Sequence, residues 1–304
     1  MTVDRDALSR VVAIANGKGG VGKTTLAANI AGLSAAAGHR VLLIDLDPQG
    51  NVGDDLGYYE AGRSDDGAHL VETLLSRDDL KPVLIDVREN LDIISGGERI
   101  TDLAGALFAR AAKGQNSDLA LADSLSGIAG DYSLVLIDTP PIDVQLQALA
   151  LGAARWLLIP TAPDAGSIRG LAALASRVEH AHINNPGLEV LGAVLVDLPA
   201  NAKRIKEAAS AQIEQALGGV AHVFDQTIRT ATSPARESRD RGLLIHELAE
   251  QVEDAEPFYS ALREGRRPDR LPGSAPALAE DFLLLTEAVL TTIAKREGIR
   301  GELT

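Results

Sequence analysis

The chain has 304 residues and a formal net charge of −14, from 43 acidic and 29 basic side chains, and it contains no cysteine. The lack of cysteine excludes disulfides and thiolate ligands for an iron–sulfur cluster. Residues 1–10 are polar and charged, and no apolar run approaches ~18 residues, so we expect neither a secretory signal nor a transmembrane helix and predict a cytoplasmic protein.

The first predicted element is a buried strand, Val11–Ala15, which leads through a glycine-rich loop into a helix, Lys23–Ala37. Residues 17–24 read Gly-Lys-Gly-Gly-Val-Gly-Lys-Thr, the phosphate-binding pattern Gly-x4-Gly-Lys-Thr with an additional lysine, Lys18. Its glycines allow positive φ, so successive N–H groups can surround a phosphate at the positive end of the helix. Lys23 supplies a charge for the phosphates, and the following threonine supplies a hard oxygen ligand for Mg²⁺. The segment therefore predicts a nucleoside triphosphate site.

Two later strands each end in carboxylates. The strand Val41–Asp45 continues into Leu-Asp-Pro, and the alternation of an extended chain places Asp45 and Asp47 on the same side beyond its carboxyl end. Ligands bind at that end in open α/β sheets. The strand Leu134–Asp138 presents Asp138 in the same way, suited to a water bound to Mg²⁺. A single Asp after a strand is usually a helix N-cap or turn residue, but three such segments in this order favour a nucleotide site.

The rest of the chain alternates strands and helices. Further strands are predicted at Leu91–Ile94, Trp156–Pro160 and Val190–Val196, and further helices at Leu103–Ala112, Asp143–Leu151, Ser167–Ala181 and Ala202–Leu217. The strands are continuously apolar, which indicates a parallel sheet covered on both faces. Right-handed crossovers then predict an α/β fold with a doubly wound, mostly parallel sheet.

The C-terminal region is predicted to hold one more helix. Residues 265–276 read as a linker, and Leu278–Arg296 has apolar residues at helical spacing. We divide the chain into a P-loop domain (1–262), a linker (263–276) and a C-terminal helix packed on the domain (277–304). A membrane-binding helix would be basic on its polar face, whereas acidic residues offset the basic ones here, so packing on the domain is favoured.

Three strings of this chain resemble the ParA family of partition ATPases, which belongs with MinD to the deviant Walker A group. They are Lys18-Gly-Gly-Val-Gly-Lys23-Thr24-Thr25, Asp45-Leu-Asp47-Pro-Gln-Gly-Asn51 and Leu136-Ile137-Asp138-Thr139-Pro140-Pro141. The second string is more typical of ParA than of MinD, and the resemblance covers about residues 10–250. Nitrogenase iron protein and the cluster-scaffold ATPases share the loop but need cysteines, which this chain lacks.

The resemblance implies that ATP or ADP and Mg²⁺ bind at these strings. The implied nucleotide contacts are Gly19, Gly20, Val21, Gly22, Lys23, Thr24 and Thr25. Thr24 is implied to bind Mg²⁺, with Asp45 and Asp138 as outer groups around the ion. Base recognition is less defined, because Leu195–Pro199 lacks the Asn or Thr that the family often has there.

The resemblance also implies the catalytic groups, which are Lys18, Lys23 and Asp47. Lys23 is similar to the lysine that contacts the phosphates within its own subunit. Lys18 is similar to the signature lysine that reaches the partner's phosphates in an ATP-sandwich dimer, where a cation stabilises phosphoryl transfer. Asp47 matches the residue that orients the attacking water.

Basic residues between positions 203 and 241 are candidates for DNA contact, because proteins of this family bind DNA without sequence preference. Seven basic and five acidic residues fall in this range of an otherwise acidic chain. The candidate DNA-binding residues are Lys203, Arg204, Arg229, Arg236, Arg239 and Arg241. Aromatic residues make up only 3% of the chain, so contact with phosphates is expected rather than base stacking. The alternative is an ordinary solvated surface.

The sequence therefore predicts a slow, Mg²⁺-dependent ATPase for plasmid or chromosome partition. It would form a homodimer with ATP, bind non-specific DNA on the nucleoid, and be released when a ParB-like partner stimulates hydrolysis. One alternative is a MinD-like positioning ATPase associated with a membrane, although no membrane partner is expected from the tail. Another is ParA-like positioning of a protein cargo, which would use the same ATPase site.

Overall fold

The computed structural model describes residues 3–114, 117–199, 202–218, 222–255, 263 and 271–298. One sheet of eight strands runs through it, in the order β3-β4-β2-β5-β1-β6-β7-β8. The strands are β1 (Val11–Ile14), β2 (Val41–Asp45), β3 (Leu84–Arg88), β4 (Leu91–Ile94), β5 (Leu134–Asp138), β6 (Trp156–Thr161), β7 (Glu189–Leu198) and β8 (Val223–Arg229). All neighbours pair in parallel except β3 and β4. The predicted doubly wound, mostly parallel sheet is confirmed.

Helices cover both faces of this sheet. They are α1 (Lys23–Ala36), α2 (Asn51–Asp55), α3 (Ala68–Ser76), α4 (Ile100–Ala112), α5 (Ala120–Ala129), α6 (Val144–Ala153), α7 (Ala165–Ala181), α8 (Lys203–Ala216), α9 (Thr232–Arg241), α10 (Ile245–Asp254) and α11 (Ala275–Arg296). Helices α3 to α8 contribute to the core on one face, and α1, α2, α10 and α11 contribute to the core on the other. Every residue of β1, β2, β4, β5 and β6 is buried, which explains their continuously apolar sequences.

The strand register brings the predicted site together. Ile14 at the end of β1 pairs with Asp138 of β5, and Asp138 pairs on its other side with Asp45 of β2. The loops that leave these neighbouring strands therefore begin at the same edge of the sheet. Helix α1 starts there as well, directly after Gly22.

The C-terminal helix α11 packs on the face that also holds α1. Its apolar stripe, which includes Phe282 and Val289, is buried in the same core cluster as α1 and the end of β8. Residues 264–270 of the predicted linker lie outside the described residues, and α11 already begins at Ala275, inside the range assigned to the linker. In the part of the chain that the structure describes, none of the helices combines the length and apolar character needed to cross a membrane.

Candidate nucleotide site

The glycine-rich loop after β1 needs its glycines for conformation and space. Gly20 and Gly22 have φ values of 74° and 71°, in the left-handed region that favours glycine. A Cβ on Gly17 would lie 2.9 Å from the carbonyl oxygen of Gly170 in α7, so no larger residue fits without a shift. The loop therefore approaches the neighbouring backbone closely and exposes its N–H groups at the start of α1.

Asn16 fixes the start of this loop and was not predicted as a site residue. Its side-chain amide donates to the carbonyl of Pro160 at 2.7 Å, and its Oδ1 accepts a bond from the N–H of Lys18 at 2.9 Å. The side chain is fully buried, so these bonds satisfy groups that would otherwise be costly to bury. A polar residue directly after an apolar strand was the only signal for this role in the sequence.

Lys23 points into the loop that precedes it. Its side chain is largely buried, and Nζ donates to the carbonyl oxygen of Lys18 at 3.3 Å. Burial lowers the pKa of Lys23, while the negative charges of Asp138 and Asp47 act in the opposite direction. An anionic phosphate in the loop would stabilise the charged form of this lysine in the same way.

Three carboxylates lie behind the loop, as predicted for the ends of β2 and β5. Asp138 accepts a bond from the Thr24 hydroxyl at 2.6 Å, and Oδ1 of Asp45 accepts one from the N–H of Asp47 at 2.8 Å. Asp47 is slightly more accessible than the other two, and its Oδ1 accepts the N–H of Gln49 at 2.9 Å. Burial is the main cause that raises the pKa values of Asp45 and Asp138, and each is raised further by a neighbouring carboxylate.

These oxygens fit a Mg²⁺ ion that is shared with nucleotide phosphates. The donors are hard oxygens, the class that Mg²⁺ prefers. Among the described residues, Oδ2 of Asp45 is buried and has no hydrogen-bond partner, so this oxygen is available to a cation or to a water bound to one. Across the described ranges, no cluster of three or more His, Cys, Asp or Glu side chains could hold a metal without other ligands. Phosphate and water oxygens would therefore have to complete the coordination.

Lys18 is held by a carboxylate of its own subunit. Its Nζ donates to Oδ2 of Asp164 at 2.7 Å and lies 3.3 Å from the Ser167 hydroxyl. Asp164 also caps α7, because its Oδ1 accepts the N–H groups of Gly166 and Ser167. The hydrogen bond from Lys18 is the main cause that keeps the pKa of Asp164 well below its usual range. Lys18 therefore lies at the protein surface beside the loop, 39% exposed.

Two adjoining cavities open on the loop. The first, of about 640 Å³, is lined by loop residues, by Asp47 and Asn51, and by one side of α9. The second, of about 240 Å³, shares Gly20, Gly22 and Thr25 with the first and has mainly apolar walls from the ends of β7 and β8 and from α11. The first cavity has charged and polar side chains in its lining and the second has mainly apolar ones, which matches the two chemical halves of a nucleotide.

The structure places the candidate DNA-binding residues in different surroundings. Arg229 makes two side-chain bonds to Asp281 of α11, at 2.6 and 2.7 Å, and Arg239 bonds at 2.7 Å to Asp55, which is buried. Arg236 and Arg241 pair with acidic residues on the same helix. Lys203 and Arg204 at the start of α8 are both exposed. The side chain of Lys203 is 88% exposed, compared with 82% for Arg236, and its Nζ lies 4.0 Å from Glu207 of the same helix.

A phosphate-binding loop between β1 and α1, with carboxylates at the ends of β2 and β5, defines a P-loop nucleotide-binding protein. A family model described as "AAA domain" matches residues 9–190. The chain is 37% identical to the chromosome partitioning protein ParA of Caulobacter vibrioides over 61% of this chain and 68% of that protein. It is 33% identical to the chromosome-partitioning ATPase Soj of Thermus thermophilus over 74% of this chain and 85% of that protein. The chain belongs to the ParA family of partition ATPases.

A solved structure with the same fold contains a nucleotide. Cobyrinic acid a,c-diamide synthase from Mycobacterium smegmatis, with bound ATP analogue and magnesium, is 25% identical and superposes with a TM-score of 0.61 over 86% of this chain and 99% of that chain. Nucleotide and magnesium are thus bound by a protein of this fold. This agrees with the chemistry of the loop and carboxylates described above.

Proposed function

We propose that this protein is a partition ATPase that dimerises on ATP, binds DNA without sequence preference as a dimer, and dissociates after hydrolysis. The observation that carries this proposal is the pairing of a phosphate-binding loop with a second lysine, Lys18, at the protein surface. The names of the related ParA and Soj proteins support chromosome partitioning as the process.

Binding of the nucleotide is assigned to the loop and the first turn of α1. The N–H groups of Gly19 to Gly22 and the charge of Lys23 would hold the β- and γ-phosphates, and Thr25 would contact the α-phosphate. Thr24 would be the direct protein ligand of Mg²⁺, with Asp138 and Asp45 as outer groups. A bound Mg²⁺ would neutralise part of the negative charge of the phosphates. The apolar cavity between β7, β8 and α11 has the position and character required for the base.

Hydrolysis needs an oriented water and a way to stabilise charge on the phosphates. Asp47 lines the phosphate cavity and is the proposed group that orients the water, since its Oδ2 is not used in the bond to Gln49. Lys18 is the proposed cation that acts across the dimer on the partner's nucleotide. We expect hydrolysis to be slow until a ParB-like partner stimulates it.

DNA contact is assigned to the accessible basic residues at the start of α8. Helix α8 begins with Lys203 and Arg204 and has no acidic residue in its first turn. The start of a helix is the positive end of its dipole, so basic side chains there do not stabilise the helix. The positive charges of the side chains and of the dipole together attract a nearby phosphate. Dimerisation would double the number of contacts and make DNA binding depend on ATP. In its ATP state the protein would then be bound to the nucleoid.

A membrane-bound alternative would need an exposed apolar face on α11, whereas the main apolar stripe of this helix is buried against α1 and β8. Leu283 and Leu284 are the large apolar side chains of α11 that the structure shows as exposed. A protein cargo in place of DNA would use the same ATPase site. Binding of the ATP-bound dimer to DNA therefore separates partition of DNA from positioning of a protein.

The proposal is tested by two variants that should affect different steps, one the binding of ATP and the other its hydrolysis. Lys23→Ala should abolish detectable ATP binding, because it removes the phosphate charge from the loop. Asp47→Ala should keep ATP binding and dimerisation but lose hydrolysis, because the position of the water matters only in the transition state. Calorimetric titration with ATP and release of phosphate are the measurements, and Lys81→Ala is a control that removes an exposed lysine outside the cavity. Hydrolysis at the wild-type rate in Asp47→Ala would show that another residue orients the water.

A further inference from the structure

Helix α9 forms one wall of the phosphate cavity. The lining residues on this helix are Thr232, Ala235, Arg236, Arg239 and Asp240. Their spacing of three and four residues places them on one face of the helix, and this face points toward the loop. Two arginines that the sequence analysis assigned to DNA therefore face the nucleotide cavity.

The position of Arg239 is fixed by an ion pair with Asp55. Its Nε donates to Oδ1 of Asp55 at 2.7 Å, and Asp55 lies at the end of α2, the helix that follows the Asp47–Asn51 segment. The carboxylate of Asp55 is 6% exposed, whereas the side chain of Arg239 is 43% exposed. Asp55 thus anchors the guanidinium at the cavity wall without enclosing it.

Asp55 engages only one side of the guanidinium. Within the part of the chain that the structure describes, the hydrogen bond of Arg239 is made by Nε, so the two terminal amino groups have no protein acceptor there. A guanidinium presents its donors as a planar fork that matches two phosphate oxygens. Arg236 stands one turn earlier and is 82% exposed, and among the described residues it pairs with Asp240 at 3.4 Å. Exposed pairs of this kind contribute little, so Arg236 can exchange partners readily.

We propose that Arg239, assisted by Arg236, binds the phosphate chain of the nucleotide held by its own subunit. This inference rests on the proposed function, since it assumes that the loop holds a nucleoside triphosphate. It makes α9 a nucleotide-contacting element, and it separates the roles of the basic residues: Arg236 and Arg239 of α9 serve ATP, and Lys203 and Arg204 of α8 serve DNA. Asp55 is a positioning residue that orients Arg239.

Affinity for ATP, measured by calorimetric titration with Mg²⁺ present, tests the proposal. Arg239→Ala should raise the Kd about tenfold or more, the effect of one charge-assisted hydrogen bond. Arg239→Lys should recover part of the loss, because a lysine restores the charge but not the fork. Arg241→Ala is the matched control: it removes the same charge from the same helix at a position outside the cavity lining, where Arg241 pairs with Glu237. Its Kd should stay within about twofold of the wild type.

Asp55→Asn separates phosphate binding from a purely structural ion pair. If Arg239 binds phosphate, Asp55→Asn should weaken ATP binding less than Arg239→Ala does, because the guanidinium keeps its charge and its donors and loses only part of its orientation. If the pair only supports the fold, Asp55→Asn and Arg239→Ala should weaken ATP binding equally, which would overturn the inference. Thermal unfolding of each variant without nucleotide reports the structural effect separately. Failure of the wild type to bind ATP would instead reject the proposed function.

Discussion

Lys18 has a different partner in the isolated chain from the one proposed for it in the dimer. In the isolated chain its Nζ lies 2.7 Å from Oδ2 of Asp164. To reach a phosphate of the facing subunit, the lysine must leave this carboxylate. Both side chains are partly exposed, at 39% and 46%, so the ion pair is worth only about 0.2 to 1 kcal/mol. Asp164 therefore competes weakly with the partner's nucleotide for Lys18.

We expect Asp164→Asn to increase the fraction of ATP-bound dimer. The asparagine keeps an oxygen that can cap α7 but replaces the carboxylate that attracts Lys18. Two such pairs are broken in each dimer, one in each subunit, so their removal would strengthen dimerisation up to about thirtyfold. Size-exclusion chromatography with light scattering, in the presence of a slowly hydrolysed ATP analogue, measures the dimer fraction.

Lys18→Ala is the counterpart of that variant and should bind nucleotide but remain monomeric. The double variant Lys18→Ala with Asp164→Asn should behave like Lys18→Ala alone, because the carboxylate acts through the lysine. A normal ATP-dependent dimer of Lys18→Ala would refute the role in trans. A gain in dimer from Asp164→Asn that persists without Lys18 would assign the effect to another contact.

Residues that follow a strand in a recognisable string could be predicted from the sequence, and residues that act through the fold could not. The loop and the three aspartates are local features, and the structure brings them to one edge of the sheet. Asn16, Asp55 and Asp164 were missed as site residues. The last two lie far along the chain from their partners: 184 residues separate Asp55 from Arg239, and 146 separate Lys18 from Asp164. Only the packed fold defines such pairs.

At the scale of elements, α11 connects the C-terminal region with the nucleotide site. Phe282 and Leu278 line the apolar cavity, and Asp281 holds Arg229 at the end of β8. The hydrogen bond that Arg229 donates to Asp281 is the main cause that raises the pKa of Arg229 above its ordinary value. Helix α11 thus supplies a wall of the proposed base cavity in addition to its part in the core.

We expect Phe282→Ala to reduce both stability and ATP affinity. The side chain is 4% exposed, and the loss of a buried aromatic ring costs about 3 to 5 kcal/mol of unfolding free energy. It also removes a wall of the base cavity, so the Kd for ATP should rise while the protein is still folded. Chemical unfolding and titration at a temperature well below the transition measure the two effects.

Leu284→Ala is the matched control on the same helix, because that side chain is 46% exposed. Its unfolding free energy should change by no more than about 0.5 kcal/mol. Equal stability of the Phe282→Ala and wild-type proteins would mean that α11 is not part of the folded core in solution. Lower stability of Phe282→Ala with an unchanged Kd for ATP would show that Phe282 does not contact the base.

The central strands of the sheet could be predicted from the sequence and the two edge strands could not, because the two groups differ in burial. The six predicted strands are present, since burial on both faces gives them unbroken apolar runs. The edge strands β3 and β8 were missed. Ile85 is 53% exposed and Asp86 has a φ of 47°, so β3 has neither a clear apolar pattern nor regular geometry. Strand β8 (Val223–Arg229) mixes buried and exposed positions, and it pairs with β7 alone.

At the scale of the whole molecule, the charge of −14 works against binding to DNA. A local basic region can still attract phosphates, because the field near a surface depends on nearby charges. Arg229 is paired with Asp281 and Arg239 with Asp55, so the region predicted from the sequence to be basic has less net positive charge than expected. The start of α8 is therefore where we expect DNA contact, and two copies in a dimer are needed for appreciable affinity.

We expect the double variant Lys203→Ala, Arg204→Ala to bind DNA more weakly in the ATP state while retaining ATP binding and basal hydrolysis. The logarithm of the affinity for random-sequence duplexes should fall linearly with the logarithm of salt concentration, and the slope should decrease by about 0.9 for each phosphate that the variant no longer neutralises. Fluorescence anisotropy with the ATP-bound dimer, at several salt concentrations, gives both quantities. The double variant Lys81→Ala, Lys113→Ala removes the same charge from exposed positions elsewhere and should keep the wild-type slope. An unchanged slope in the α8 variant would exclude this region, and a wild-type dimer that fails to bind DNA at low salt would favour a protein cargo.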